Sequence, residues 1–192
     1  DSVNAVSFLR KYEELMPNDG MGAYYLGSAL ESQGEYQQAI DQYRRAVELN
    51  PNIVSAHEHL GVLLQKTGDV DAAVPELQKA AELSPQDADM LNAVGLALLQ
   101  MGQGGKAQKN FESAIRLRPD DVGIRGNLAV AYLQMSNFDA AITELEKALS
   151  QAPERADLHY DYALALKLKD KLPEAIAQLK EATKLDPTLV DA

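Results

Sequence analysis

Apolar residues in this chain recur at helical spacing, in pairs of short runs. One pair is Ala23 to Leu30 and Ala39 to Leu49. Steps of three and four between apolar positions predict amphipathic helices with one buried face. Between the two runs of a pair sits a short polar turn: Gln33-Gly34-Glu35, Thr67-Gly68-Asp69, Gly102-Gln103, Ser136-Asn137 and Asp170-Lys171. Glycine there supplies the positive φ that ends a helix. Ser136 and Asp170 are expected to adopt the same conformation at some cost, since Asp tolerates it better than most residues.

The pattern repeats. Six prolines (Pro17, Pro51, Pro85, Pro119, Pro153 and Pro187) stand on one comb with a 34-residue interval. Each should stop the second helix of a pair and set the turn into the next. Ala39, Ala73, Ala107, Ala141 and Ala175 form one ladder of small residues, and Ala46, Ala80, Ala114, Ala148 and Ala182 a second. Gly27, Gly61, Gly95, Ala129 and Ala163 form a third. Small residues at fixed register predict close helix–helix approaches, because packed axes lie roughly 8–10 Å apart. On that reading Ala107→Leu destabilises the fold more than Glu112→Leu.

The motif Leu26-Gly27, Leu30, Ala39, Tyr43, Ala46, Pro51 resembles the tetratricopeptide repeat. The resemblance implies an all-α fold, a right-handed superhelical solenoid of stacked antiparallel helix pairs. The units expected are 20–53, 54–87, 88–121, 122–155 and 156–189. Residues 1–19 would hold the second helix of a truncated preceding unit, and 190–192 the start of a further one. Some positions depart from the motif. The usual aromatic at the fourth position of the first helix is replaced by Ala23, His57, Leu91, Arg125 and His159. Gly104 stands where other units carry a large apolar residue, so loose packing is expected at that turn. Pro173 suits the first turn of its helix. Pro75 lies deeper and should remove one backbone bond. Ile176, Leu179 and Leu185 would be partly bare on the last helix, which leaves end-to-end self-association open.

In this family the first helices resemble the lining of a concave groove that holds a partner peptide. On each first helix one face has no structural duty, and its residues are the candidate site: Tyr24 and Ser28, Glu58 and Val62, Asn92, Leu96 and Leu99, Gly126, Val130 and Leu133, then Tyr160 and Leu164. Gly126 would open a hollow beside Asn92 and Tyr160. An apolar strip with polar edges suits an amphipathic helix or an extended peptide. The bland alternative is that these side chains pack against neighbouring first helices and bind nothing. A subclass that clamps a terminal carboxylate needs basic residues, which are missing at Tyr24, Ser28, His59, Asp89 and Ala93. The asparagine ladder of another subclass is reduced to Asn127 among Tyr25, His59, Ala93 and Asp161.

Composition narrows the partners. The formal net charge is −11, which disfavours nucleic acid and anionic membrane surfaces. There are no cysteines, so disulfides and thiolate chemistry are excluded. No apolar run approaches a membrane span of roughly 18–20 residues. The compartment stays open between cytoplasm and periplasm. His57 and His59 point to different helix faces, and His159 is remote in sequence, so no metal site is expected. Carboxylates such as Asp69 and Asp71 are better explained as helix caps than as catalytic acids. No cofactor and no enzymatic site are expected. The sequence therefore points to a protein-interaction scaffold, with two alternatives: the substrate-recognition or regulatory arm of a larger enzyme, and a self-associating solenoid.

Overall fold

The structure, a computed structural model, describes residues 2–191, with side chains for 4–189. Residues 1 and 192, at the ends of the expected array, lie outside the described residues. Among the described residues the chain is helical throughout, without a strand. The helices are α1 (Ser2–Leu15), α2 (Gly20–Ser32), α3 (Tyr36–Leu49), α4 (Val54–Thr67), α5 (Val70–Leu83) and α6 (Ala88–Gln100). They continue with α7 (Gly104–Leu117), α8 (Val122–Gln134), α9 (Phe138–Gln151), α10 (Ala156–Leu168) and α11 (Leu172–Leu185). Residues Pro187–Asp191, expected to open a further first helix, form a 3-10 turn against α11. The chain divides into two compact units, residues 1–97 and 98–192.

Local chemistry sets the boundaries. The residue before each comb proline cannot stay helical, because the proline ring crowds its backbone. Asn50, Ser84, Arg118, Ala152 and Asp186 accordingly have φ between −129° and −145° and positive ψ. Asp19, Asp69, Asp121 and Asn137 cap helix starts by accepting from a backbone N–H. The turns inside each hairpin use the left-handed region at Gly34, Gly68 and Gly102, and at Ser136 (φ 58°) and Asp170 (φ 57°).

In the first unit α2 packs on α3 and α4 on α5, with α1 against α2 and α3 against α4. Its core joins Leu26, Leu30, Ile40 and Tyr43 to Leu60, Leu63 and Leu64. The glycine ladder has a direct cause here. A Cβ on Gly27 would lie 2.8 Å from the Tyr43 ring, and one on Gly61 2.6 Å from Leu77. In the second unit α7 packs on α8, α8 on α9, α9 on α10 and α10 on α11. There Ala129, Ala141, Leu145, Ala148, Leu158 and Ala165 form one core. The alanine ladders are fully buried at Ala39, Ala73, Ala107 and Ala141, and at all five positions from Ala46 to Ala182.

One expectation changes. Gly104 is not a loose spot. It is buried, and a Cβ there would meet Gln134 Oε1 at 2.9 Å and the Ala131 carbonyl at 3.2 Å. The end of α8 closes over the start of α7, and Gln134 donates to the Leu99 carbonyl at 2.9 Å. Pro75 lies inside α5, which runs on through it with that one backbone donor missing. The face of α11 is open as expected: Ile176 is 53% and Leu179 38% exposed, against 3% for the equivalent Ile40 and 0% for Tyr43.

Candidate functional site

The first helices of the hairpins carry the candidate residues, and their packing separates them into groups. In the first unit, Tyr24 does not stand free. Its ring lies 5.4 Å from Tyr25, 5.9 Å from Tyr43 and, edge-on, 5.8 Å from His59. Beneath this aromatic group the Tyr43 hydroxyl donates to Glu31 Oε2 at 2.6 Å, and His59 Nδ1 lies 3.1 Å from the same oxygen. Burial and then the Glu31 carboxylate raise the Tyr43 hydroxyl above the ordinary phenol range. Ser28 is half-buried and lines an open groove of about 480 Å³ with Ala5, Phe8 and Tyr25. Glu58 is half-buried, and burial, with Asp87 and Asp89 nearby, raises its pKa against a lowering from His59. One turn later Val62 is 43% exposed. Asn92 and Leu96 are half-buried.

In the second unit, Leu99 and Val130 are half-buried, and Leu133 packs against the core of α9 and α10. Gly126 corrects the sequence reading. It is buried, and a Cβ added to it would lie 2.8 Å from Leu158 Cδ2. Leu158 fills the space that the missing side chain leaves, so no hollow opens there. Tyr160 and Leu164 line a cleft of about 130 Å³ with Ala163, Lys167 and Leu179, and Leu164 is 38% exposed. The strip drawn from sequence is thus divided. Tyr24, Gly126 and Leu133 serve the packing, whereas Val62 and Leu164 offer apolar surface.

Sequence reasoning passes over two features. One is Asp161, next to Tyr160 on α10. Burial, then the nearby Asp157, pushes its pKa up to about 6. The other is a clasp at the fourth position of the first helix. His57 Nδ1 lies 2.6 Å from Glu76 Oε2, and its Nε2 lies 3.0 Å from the Pro51 carbonyl. Arg125 donates to Glu144 at 2.7 Å and to the Pro119 carbonyl at 2.6 Å. His159 reaches Gln178 Oε1 at 2.6 Å and the Pro153 carbonyl at 2.9 Å. The common register, proline six residues before and partner nineteen after, is present in the sequence as a signal. These side chains tie the comb proline to the second helix and point to structure, not chemistry. Glu144 shows the electrostatics: burial opposes its charge, but Lys147 and Arg125 hold its pKa below the usual carboxylate range.

Among the described residues, no three His, Cys, Asp or Glu side chains come together as a metal site. No described helix is long and apolar enough to cross a membrane.

Comparison with known proteins agrees with the geometry. A family model described as tetratricopeptide repeat matches residues 1–53, 24–88, 59–121 and 127–189, and a second of the same description matches 98–146. No curated protein matches the chain. Among solved structures, a crystal structure of MamA superposes with a TM-score of 0.80 at 23% identity, over 88% of this chain and 92% of that one. MamA residues 41 to the end from Desulfovibrio magneticus RS-1 gives 0.81 at 20%, over 88% and 96%. YrrB, described as a TPR protein with an unusual peptide-binding site, gives 0.80 at 21%, over 93% and 92%. At these identities the likeness speaks for the fold. With the proline comb, the buried small-residue ladders and family matches along most of its length, this chain belongs to the tetratricopeptide repeat family.

Proposed function

We propose that the chain is a protein-interaction scaffold that holds a peptide or segment of a partner protein along the free face of its first helices. The observation that carries this reading is the contrast within single helices. On α4, Leu60, Leu63 and Leu64 are at most 3% exposed, while Val62 between them is 43% exposed. On α10, Ala163, Ala165 and Leu166 are buried, while Leu164 is 38% exposed and borders a cleft with Tyr160. Removing apolar surface from water is favourable, so each of these side chains offers a partner's apolar group something to bury against. The peptide-binding site named for the similar YrrB fold supports the same use of this architecture.

The sequence alone directs a test to Leu96→Asp with Val130→Asp. Both residues are half-buried, so charges there would also strain the packing. Val62→Asp with Leu164→Asp is the cleaner pair. Capture of partner protein by the intact chain should fall at least tenfold in this double variant, with far-ultraviolet circular dichroism unchanged. Undiminished capture by a fully helical variant would move the site away from the first helices.

A further inference from the structure

We infer that the partner segment is basic as well as apolar, with lysine or arginine side chains along one edge and aliphatic anchors along the other. The inference rests on the scaffold reading above and deepens it.

Three of the first helices, α4, α6 and α10, carry their carboxylates early; α2 has Glu31 in its last turn, and α8 has Arg125 in its first turn. Glu58 and Asp89 in the first unit, and Asp157 and Asp161 in the second, all lie in the first two turns of their helices. Lys66 and Lys167 lie in the last turn. Lys66 is already engaged, with Nζ 2.9 Å from the Tyr36 hydroxyl and 4.3 Å from the ring centroid. The exposed apolar residue follows the carboxylate closely in both units. Val62 is four residues after Glu58, and Leu164 is three after Asp161, so each pair shares a helix face. Arg155 neutralises Asp157 through two hydrogen bonds, at 2.8 and 2.5 Å. No described residue forms an ion pair with Glu58 or donates a hydrogen bond to Asp161. Both carboxyls are held above their ordinary pKa, chiefly by burial. An ammonium or guanidinium brought to Asp161 would meet a carboxylate without a counter-charge, and one brought to Glu58 a carboxylate faced only by the His59 ring. An acidic segment would meet repulsion from the same groups and from a chain of net charge −11. Complementary charge next to an apolar anchor sets partner choice more than raw affinity.

The test uses the full chain and fluorescein-labelled dodecapeptides, read by fluorescence anisotropy. One peptide alternates leucine and lysine, and its counterpart alternates leucine and glutamate. In an extended chain the period of two puts leucines on one side and charges on the other. The leucine–lysine peptide should bind and the leucine–glutamate peptide should not. Glu58→Gln with Asp161→Asn, which removes the carboxylate from whichever unit the peptide occupies, should weaken binding by about two- to fivefold, the scale of one partly exposed ion pair. Asp41→Asn with Glu82→Gln, equal in charge change but on second helices, should leave it unchanged. Val62→Ser with Leu164→Ser, which alters no charge, should weaken it too. Equal binding of the two peptides, no binding of either, or equal effects of the two charge-removing pairs would overturn the basic-partner inference. Loss of binding in the serine variant but not in the Glu58/Asp161 variant would also overturn it, while leaving the scaffold reading in place. Binding indifferent to the serine variant would count against the scaffold surface itself.

Discussion

Position four of the first helix, where the family usually has an aromatic ring, carries His57, Arg125 or His159 in three of the hairpins. Each commits its polar groups to a proline carbonyl and a second-helix side chain. Asp161 contrasts with them, as a half-buried carboxyl with its pKa raised to about 6. An unfolded Asp titrates near 3.9. The folded state therefore holds the proton more tightly, and ionisation costs folded stability. That cost is absent below about pH 4, grows as pH rises toward 6, and is complete above it. A rise of that size corresponds to about 3 kcal/mol, and solvent screening at a partly exposed site reduces this to about 1–2 kcal/mol. Asp161→Asn should thus melt higher than the parent at pH 7.5 and no higher at pH 4. The alanine ladder gives a second residue-scale prediction. Ala107 is fully buried, so Ala107→Leu should cost about 1–3 kcal/mol by overpacking. Glu112 is a poor comparator, because it accepts from Tyr132 at 3.2 Å and Gln108 at 2.8 Å. Lys109, on the same helix and partly exposed, is the better one, and Lys109→Leu should change stability from urea unfolding by less than about 0.5 kcal/mol.

Elements are set by their ends. Each hairpin turn needs one left-handed residue, and three turns use glycine while two use Ser136 and Asp170. A left-handed conformation costs a side chain about 1 kcal/mol. Ser136→Gly and Asp170→Gly should each stabilise the chain by about 0.5–1 kcal/mol, visible as a higher thermal midpoint. If either lowers it, the side chain has a role at the turn beyond its backbone. Glycines are legible in sequence when they mark such turns, as Gly34, Gly68 and Gly102 do. Gly104 and Gly126 are not, because each owes its glycine to a neighbour on another helix. Gly104 lies beneath Ala131 and Gln134, and Gly126 beneath Leu158. No local pattern reports which side chain will arrive from another helix.

At the scale of the molecule, the first helices combine exposed apolar residues such as Val62 and Leu164 with half-buried carboxyls such as Glu58 and Asp161, on a chain of net charge −11. Periodicity alone determined the helix pairs, their turns and the buried ladders, because those depend on steric rules that act within a few residues or recur at every repeat. It also marked a candidate face on each first helix, since structural duties subtract the same positions each time. Which members of that face stay free was decided by tertiary packing. Tyr24 was drawn under Tyr43 and His59, Leu133 into the core of the second unit, and Gly126 beneath Leu158, whereas Val62 and Leu164 kept their water. The reason is that side-chain volume is shared between helices. A repeat specifies where a residue points, but the size of the residue facing it decides whether space is left for another molecule.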